Sequence, residues 1–475
     1  MTMTEAPPSR PPARLAGVAR VVRIRTLPGR IRGFALLAVL AVAAVFTVAA
    51  FAVQDARDGL KVIGHDAGPQ VVATGDLYYA LSDMDAQLAA VLLMGREQNL
   101  GAGRAKALQV YDQRRSEAHR ALLQGSNLAS DDPAEQQTAR SILDALGRYE
   151  QLAGQALQLD QQQPHAAGPP SDQVRALYRQ ATDLMKLDVL PKAYNLTLDN
   201  GTTVRRTYES KHAAVLDGIA WVVITGLVLI AILVGLQVYL TRRFRRLVNP
   251  VLALATLASL VLVVATVGLL TSEASHLSKA KNDGFDSVLS LSRARAISNN
   301  ADADETRYLL DPEQADTYEQ VYLDKSQEIF SVTAGNLHQY YQQVDQRVAA
   351  HSGFTGFLGL ESQHVTLAGQ RAAVDRTLQG YQTVQHDDAR LRTLATTAGG
   401  RHDAIVLRMG TASRDFATYD QSLVSLTAIH QKAFASAIRD GDDGLSGWSV
   451  GLPVAAVVIA ILVLVGVRPR LSEFR

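Results

Sequence analysis

Four long stretches of the chain contain no charged residue and no histidine, and long polar segments separate them. An apolar helix needs about 20 residues to cross the hydrocarbon core of a bilayer. The predicted spans are Gly33–Val53, Gly218–Leu240, Pro250–Thr271 and Leu445–Val467. They form two pairs, with polar residues 54–217 inside the first pair, polar residues 272–444 inside the second, and only residues 241–249 between the pairs. This pattern predicts a four-span membrane protein with two large polar domains on one side.

Arginine is concentrated in the short segments that flank the predicted spans. Residues 1–32 contain seven Arg and one Glu. The hinge, residues 241–249, and the C-terminal segment, residues 468–475, contribute Arg242, Arg243, Arg245, Arg246, Arg468, Arg470 and Arg475. Basic residues in short flanks stay on the cytoplasmic side. We therefore expect a multi-pass protein of the cell membrane whose termini and hinge are cytoplasmic and whose two polar domains are extracytoplasmic.

The first span has an alternative interpretation as a cleaved signal peptide, because Ala50-Phe51-Ala52 resembles a cleavage site. Its apolar run is longer than the roughly 7–15 residues of a signal peptide, and its counterpart Pro250–Thr271 lies within the chain. A membrane span is therefore the preferred interpretation. The chain has no cysteine, which fits an exported domain held by packing and excludes thiolate metal sites and thiol redox chemistry.

Apolar residues recur every three or four positions in both polar segments, which is the period of helices packed side by side. One series runs from Leu77 to Val91, and another runs from Met409 through His430 to Ala433. Turn-forming residues divide each segment into four parts, at Gly101–Gly103, Gly125–Pro133, Gln161–Ser171, Asp311–Pro312, Ser352–Gly359 and Gly399–Gly400. The expected fold is an all-α membrane protein with four transmembrane helices and two tandem extracytoplasmic four-helix bundles. The first and fourth helices of each bundle are predicted to continue directly from the spans.

The two halves of the chain show signs of an internal duplication. The third span begins 217 residues after the first, at Pro250 against Gly33. At the same offset, Asp85 and Ala86 recur as Asp302 and Ala303. The repeated order of spans and polar segments is stronger evidence for the duplication than these few identical residues.

Motifs of common enzymes are absent from the sequence. No G-x-S-x-G, H-E-x-x-H or G-x-x-x-x-G-K-[ST] occurs, so hydrolase, metalloprotease and nucleotide-hydrolysing chemistry have no support. We expect no enzyme activity, no metal and no cofactor. Arginine beside a span indicates topology and contact with anionic membrane lipids rather than nucleic-acid binding. The spans carry no charged residue and no histidine, which argues against a transporter.

Charged residues at helical spacing are the candidates for binding a ligand or partner in the polar segments. Acidic pairs suit a cation, an amine or a basic partner, and arginine offers a bidentate fork to a carboxylate. The candidates are Asp83, Asp85, Asp302, Asp304, Arg293, Arg295 and Arg307. The alternative is a set of solvated helix faces, on which Asp304 pairs with Arg307 or Tyr308. His430 is likewise either a ligand or a packed polar residue.

The segments predicted to be cytoplasmic are too short to form a folded core. An inward signal is therefore expected to pass to a separate protein. The predicted cytoplasmic partner face consists of Arg242, Arg243, Arg245, Arg246, Arg468 and Arg470. The polar domains would act as receptors, and shifts of about 1–2 Å in helices continuous with the spans would transmit the signal.

The whole chain resembles the actinobacterial GlnX-type membrane proteins, which have two tandem span–bundle–span units and short basic inner flanks. The resemblance rests on the duplicated helical domains, on the stretch Asn300–Leu310 and on the ending Arg468–Arg475. It implies a relay of amino-acid availability, of aspartate or glutamate, from an extracytoplasmic glutamine-binding-type lipoprotein to a cytosolic serine/threonine kinase of the G type. It supplies no binding motif for individual residues.

Two other functions stay open. Bundles of this shape also resemble the four-helix sensor domains of bacterial chemoreceptors, which bind small ligands directly. A membrane scaffold that senses nothing is the third interpretation. Direct sensing predicts ligand-dependent melting, the relay predicts co-purification with the lipoprotein, and the scaffold predicts neither.

Overall fold

The computed structural model describes residues 27–128, 133–244 and 249–472. Within these residues the chain is almost entirely helical and forms no β-strand, although an isolated antiparallel bridge joins Ser331 to Thr355. The all-α class predicted from the sequence is confirmed.

The described residues form fifteen α-helices, several of which are interrupted by short π-helical segments. The α-helices are α1 Leu27–Leu60, α2 Gly68–Met94, α3 Arg104–Leu128, α4 Pro133–Gln162, α5 Asp172–Leu184, α6 Leu190–Phe244, α7 Pro250–Ser278, α8 Asp286–Leu310, α9 Ala315–Ile329, α10 Leu337–Ala350, α11 Gly356–Gln363, α12 Gln370–Thr396, α13 Arg401–Leu407, α14 Ser413–Leu445 and α15 Trp448–Ser472. The π-helical segments are π1 Lys61–Ala67, π2 Met185–Val189, π3 Lys279–Phe285 and π4 Arg408–Ala412.

Four helical stretches in the described chain are long and apolar enough to cross a membrane. They are Gly29–Met94, Asp172–Arg242, Pro250–Leu310 and Arg401–Pro469. Each contains one of the predicted spans. A helix satisfies its own backbone hydrogen bonds, which is the requirement for crossing hydrocarbon. The prediction of four apolar helices is confirmed, and it is compatible with a multi-pass membrane protein.

The chain divides into two compact units, of which the apolar unit comprises residues 27–54, 216–244, 249–271 and 445–472. Small residues bring its helices close together. A Cβ atom added at Gly218 would lie 2.5 Å from the Cβ of Ala52. At the start of α7, Asn249 donates from Nδ2 to the carbonyl oxygen of Gly466 at 2.7 Å and accepts from the Val251 amide at 3.1 Å. Asn249 thus caps one helix and holds a second.

Large apolar side chains are exposed on the apolar unit. They include Leu36, Leu40, Phe51, Trp221, Leu227, Val261, Val264, Val457 and Ile461. A surface in water rarely carries so extensive an apolar area. The surface therefore fits a lipid environment.

Helices continue without interruption from three of the predicted spans into the polar segments. The helix α1 runs through π1 into α2, α7 runs through π3 into α8, and α6 extends over both kinds of sequence. At the fourth span, a turn separates α14 from α15, where Gly447 has φ +76°. Glycine tolerates this left-handed conformation because it has no Cβ. The prediction that the last helix of the second polar segment continues directly into the fourth span is therefore wrong at this turn.

The second unit, called the helical unit, comprises residues 55–128, 133–215 and 272–444. Both polar segments contribute to one of its cores, in which Leu81 and Leu88 of α2 belong with Leu309 and Leu310 of α8. A second core lies within the second segment around Tyr340, Tyr381 and Leu423. The two polar segments therefore pack into one unit, with α2 against α8.

Helix breaks in the polar segments follow the turn-forming residues, with two additions in the second segment. For example, α8 ends at Leu310 before the predicted break Asp311–Pro312, and α12 ends at Thr396 before Gly399–Gly400. One additional break separates α9 from α10, and the other separates α11 from α12. The hydroxyl of Tyr340 lies 2.7 Å from the Ser326 carbonyl oxygen and 2.8 Å from that of Phe330. A hydroxyl has one proton to donate, and the Ser326 carbonyl also accepts from the Phe330 amide at 2.8 Å. The Tyr340 hydroxyl is therefore available to the Phe330 carbonyl, just beyond the end of α9.

His430 packs in the helical unit with a hydrogen-bond acceptor at each ring nitrogen. Nδ1 lies 2.6 Å from the carbonyl oxygen of Asp283, and Nε2 lies 2.5 Å from Oε1 of Glu361. The neutral ring can donate from only one nitrogen, so both bonds require the imidazolium. Burial opposes the charge, but the bonds to Glu361 and Asp283 outweigh it and raise the pKa of His430.

We expect His430→Gln to lower the free energy of unfolding by about 1–3 kcal/mol near pH 6, because it removes hydrogen bonds to a charged ring. A histidine whose pKa is higher in the folded state stabilises that state fully below its unfolded pKa of about 6.5. This stabilisation is lost as the pH rises through the folded pKa. The difference from the unmodified protein should therefore narrow toward pH 9 in thermal melts of the purified chain. The exposed His402→Gln is the control, and a pH-independent deficit for His430→Gln would contradict this explanation.

Candidate functional site

Three of the seven ligand candidates meet in a buried cluster between α2 and α8. We call Asp85, Asp304, Arg307 and Lys325 the central ion cluster. Asp85 is fully buried. Its Oδ1 accepts from the Tyr149 hydroxyl at 3.0 Å, and its Oδ2 accepts from Thr182 Oγ1 at 2.7 Å and from Arg307 Nη2 at 2.6 Å. Three donors therefore satisfy this carboxylate.

Arg307 links the two polar segments through both ends of its guanidinium group. Beyond Asp85, it donates from Nη1 to Asp304 Oδ1 at 2.5 Å and from Nε to the Tyr178 hydroxyl at 3.2 Å. Its side chain is 1% exposed. Asp85 and Tyr178 belong to the first segment, whereas Asp304 and Arg307 belong to the second. Arg307 is therefore a buried bridge between the two segments.

Asp304 is held by cations from three elements. Lys325 of α9 bonds to its Oδ2, and Lys186 of π2 lies 3.8 Å from its Oδ1. Burial favours protonation of Asp304, but Lys325, Arg307 and Lys186 outweigh burial and hold its pKa below the usual value. Burial lowers the pKa of Lys325 to about 8, although Asp304 opposes this shift. Its charge therefore depends on retaining Asp304 as a partner.

Asp83 and Asp302 lie outside the central ion cluster and have arginine partners of their own. Asp83 accepts from Arg114 Nε at 2.5 Å. Asp302 pairs with Arg408 of π4, which also lies 3.5 Å from Glu305. Burial raises the pKa of Asp302, although Arg408 opposes the shift. These ion pairs also lie between helices. The acidic residues therefore do not lie on solvated helix faces, which was the alternative interpretation.

The two remaining arginine candidates differ in their pairing. Arg295 forms a bidentate pair with Asp420, at 2.6 and 2.8 Å, and lies 3.9 Å from the centre of the Tyr79 ring. Arg293 lies 5.5 Å from the centre of the Tyr194 ring. Its buried Nε has no hydrogen-bond acceptor among the described residues. Arg293 is therefore the candidate arginine best able to accept a new anionic partner.

The predicted cytoplasmic partner face is described only in part. Arg242 is exposed near the end of α6, and Arg468 is exposed near the end of α15. Arg243 and Arg470 belong to these two helices. Arg245 and Arg246 lie outside the described residues, as does most of the predicted tail 1–32.

Several residues of the cluster were not among the sequence candidates. Tyr149 lies on the buried face of α4, and nothing in the sequence around it points to a bond with Asp85. The sequence did not indicate a role for Thr182, Lys186 or Lys325. Each of them reaches the cluster only because separate helices pack together. In the described ranges, no group of three or more His, Asp or Glu residues is arranged to hold a metal ion.

The fold and the cluster define a class: an all-helical protein with four membrane-competent helices and a polar unit joined by buried ion pairs. The family model described as Actinobacterial sensor domain matches residues 59–209. The match covers most of the first polar segment and supports an actinobacterial sensor protein. No curated protein and no solved structure matches the chain.

Proposed function

We propose that the protein is a transmembrane sensor that relays a signal across the cell membrane. In this proposal the polar segments are extracytoplasmic, and the termini and hinge are cytoplasmic. The observation that carries the proposal is the buried Asp85–Arg307 pair, which ties α2 to α8. These two helices continue through π1 and π3 from the apolar helices α1 and α7. A shift at the pair therefore has a direct path along the backbone.

A buried ion pair is suited to a switch because its two large energies nearly cancel. Desolvation of the charges costs about as much as their attraction returns, whereas the loss of one partner costs several kcal/mol. A partner or ligand that alters one charge of the cluster thus shifts the balance between two packings of α2 and α8. The π-helical segments support this role, since such segments are frequent at functional sites.

The repeated order of elements supports an internal duplication. The first π-helical segment of each half follows the apolar helix, at Lys61–Ala67 and Lys279–Phe285. The second precedes the last long helix of the polar segment, at Met185–Val189 and Arg408–Ala412. We infer that the two halves descend from one unit and that the central ion cluster lies where the copies meet.

The finer function follows the family resemblance. In this proposal, an amino-acid-loaded solute-binding lipoprotein contacts the polar unit, and a cytosolic serine/threonine kinase contacts Arg242, Arg468 and the neighbouring arginines. The protein itself catalyses no reaction. The matched sensor domain, residues 59–209, supports the sensing role.

Disulfide crosslinking in the membrane tests the relay. The chain has no cysteine, so an introduced pair of cysteines can form a disulfide without competition from other cysteines of the chain. Ala52→Cys with Gly218→Cys joins two positions in close contact, and a small shift gives the spacing of a disulfide. We expect the rate of disulfide formation to change at least about 5-fold when the lipoprotein is added, the lower end of an allosteric coupling. Equal rates would overturn the relay, and the single-cysteine variants serve as controls.

A second candidate function is a receptor that binds a small ligand directly. A cleft of about 510 Å³ in the helical unit favours it, because ligand sites commonly enclose roughly 300–1,000 Å³. Direct binding predicts a ligand-dependent melting temperature without the lipoprotein, whereas the relay requires the lipoprotein for any response.

A further inference from the structure

A second cavity of the helical unit borders α2 and α8 and shares no lining residue with the cleft of 510 Å³. It encloses about 280 Å³, and residues of α2, α3, α8 and π4 line it. Ala90, Ala107 and Val110 contribute apolar walls, and Asp302 contributes a carboxylate whose side chain is 13% exposed. We call it the Asp302 cavity. Ligand sites commonly enclose roughly 300–1,000 Å³, so this volume suits a small ligand.

The carboxylate of the Asp302 cavity is the counterpart of a carboxylate in the central ion cluster. The offset of 217 residues between the two halves relates Asp302 to Asp85. The same offset relates Arg307, the buried bridge to Asp85, to Ala90. Both Asp302 and Ala90 line the cavity. The cavity thus lies between the two positions that correspond to the ends of the Arg307 bridge, and alanine leaves the space of the arginine side chain open.

Two further residues of the cavity wall are uncharged counterparts of charged residues at the cluster. Gln87 corresponds to Asp304 at the same offset. Met409 corresponds to Lys186, because each is the second residue of its π-helical segment. Four lining positions therefore match positions at the central ion cluster, but the arginine and the lysine have no basic counterpart among them.

Asp302 has fewer hydrogen-bond donors than its counterpart Asp85. Three side chains donate to Asp85. Among the described residues, the Asp302 carboxylate accepts from Arg408 alone, at Oδ2. Its Oδ1 is therefore open to a donor in the cavity. A second open acceptor is Oε1 of Gln87, whose amide nitrogen donates to Asp83 at 2.8 Å.

The pairing of Asp302 with Arg408 leaves room for a second cation. In the central ion cluster, Asp304 holds Arg307 at one oxygen and Lys325 at the other. Asp302 offers the same arrangement, with a guanidinium at Oδ2 and an open Oδ1. An anion in the cavity would instead lie against this open oxygen and be repelled by it.

Lys106 is the other basic residue of the cavity wall besides Arg408. It is exposed, and its ammonium group bonds to Gln109 at 3.2 Å. Water around an exposed charge reduces its interaction with other charges. Lys106 therefore opposes a cation at the buried carboxylate only weakly.

We propose that the Asp302 cavity binds a small alkylguanidinium cation in the space where the counterpart of the Arg307 side chain is missing. The guanidinium group donates to Oδ1 of Asp302 and Oε1 of Gln87, and the alkyl chain contacts Ala90 and Val110. A guanidinium group suits the site because its planar fork bonds to a carboxylate and has further donors to spare. The inference rests on the proposed internal duplication and adds a ligand site to the relay.

A bound guanidinium would join the same two helices that Arg307 joins. Its acceptors Gln87 and Asp302 belong to α2 and α8. The ligand therefore stabilises the packing in which these acceptors face one cavity, and a ligand shifts a protein toward the packing that it binds better. The site thus acts on the helix pair that carries the proposed signal.

Titration calorimetry of the full-length protein in mild detergent tests the proposal, with butylguanidinium chloride as the probe. Butyltrimethylammonium chloride is the matched comparison, because it has the same charge and alkyl chain but no N–H donor. Butylguanidinium should bind at least about 10-fold more tightly, since hydrogen bonds to charged groups are among the strongest in proteins. Butyrate, an anion of similar size, should bind more weakly than butylguanidinium.

Asp302→Asn should weaken the binding of butylguanidinium about 10-fold or more, because it removes the charge that holds the cation. The control is Asp316→Asn, which removes an exposed carboxylate of α9. It should leave the affinity within about 2-fold, because exposed charges contribute little to such interactions.

Ala90→Arg provides an independent measurement if Asp302→Asn does not fold. The introduced side chain should fill the cavity and donate to Asp302, as Arg307 donates to Asp85. Binding of butylguanidinium should then fall about 10-fold or more, while the melting temperature is retained or rises. Ala372→Arg, at an exposed position of α12, should leave the affinity within about 2-fold.

Three results would overturn the proposed site: no binding of butylguanidinium, equal or tighter binding of butyltrimethylammonium or butyrate, or unchanged affinity in either cavity variant. The relay would still stand after any of them if crosslinking between Ala52→Cys and Gly218→Cys responds to the lipoprotein. Loss of the crosslinking response, with butylguanidinium binding intact, would overturn the relay and leave the ligand site.

Discussion

Replacing Arg307 by methionine should lower the free energy of unfolding by about 3–5 kcal/mol, the typical effect of removing one partner from a buried ion pair. Methionine fills much of the volume but leaves Asp85 and Asp304 without their shared guanidinium. Both carboxylates are fully buried, so water cannot replace the lost donor. Thermal and denaturant unfolding of the purified protein would measure the effect.

Arg439→Met is the matched control for this prediction, because Arg439 is exposed on α14 and surface changes usually alter stability by no more than about 0.5 kcal/mol. A double-mutant cycle adds a second measurement. Asp85→Asn should cost less in the Arg307→Met protein than in the unmodified protein, since the two residues share one interaction. Equal costs in the two backgrounds would contradict the assigned pairing.

The apolar helices and the helical class could be predicted because the information is local. Twenty uncharged residues in succession indicate a span, and apolar residues at every third or fourth position indicate the buried face of a helix. The break between α9 and α10 combines a local signal, the cap of α10 by Asn336, with the contact of Tyr340 at the end of α9. The turn at Gly447 was not predicted because a single glycine inside an apolar run does not by itself indicate a turn.

The candidate site shows the same division between local and tertiary information. Asp304 and Arg307 are three residues apart, so helical spacing predicted their pairing. The link from Arg307 to Asp85 spans 222 residues and depends on the packing of α2 against α8. Lys186 and Lys325 enter from π2 and α9 for the same reason. The sequence thus identified Asp85, Asp304 and Arg307 as candidates, while the contact between Asp85 and Arg307 and the two lysine partners followed from tertiary structure.

The helix α7 carries a buried carboxyl group in its last two turns, on Glu273. Glu273 lies two residues beyond the predicted span Pro250–Thr271, and neither of its buried oxygens has a hydrogen-bond partner among the described residues. Cβ atoms added at Gly441 and Gly444 would lie 3.0 and 2.6 Å from these oxygens, so α14 closes over the carboxyl group. The nearby Asp442 bonds to His65 at 3.0 Å. Burial, with a smaller contribution from Asp442, raises the pKa of Glu273 from 4.5 to about 7.

We expect Glu273→Gln to raise the free energy of unfolding by about 1–3 kcal/mol at pH 8, because the neutral amide avoids the cost of burying an unpaired carboxylate charge. A carboxyl group whose folded pKa is raised binds more protons in the folded state between pH 4.5 and 7, so folding loses stability as the pH rises through that window. Glutamine remains neutral and avoids this loss, and the variant should match the unmodified protein near pH 4.5. Thermal melts across this range would measure the difference, with the exposed Glu209→Gln as control. A Glu273→Gln protein that melts at or below the unmodified protein at pH 8 would show that the folded state holds this carboxylate in its charged form.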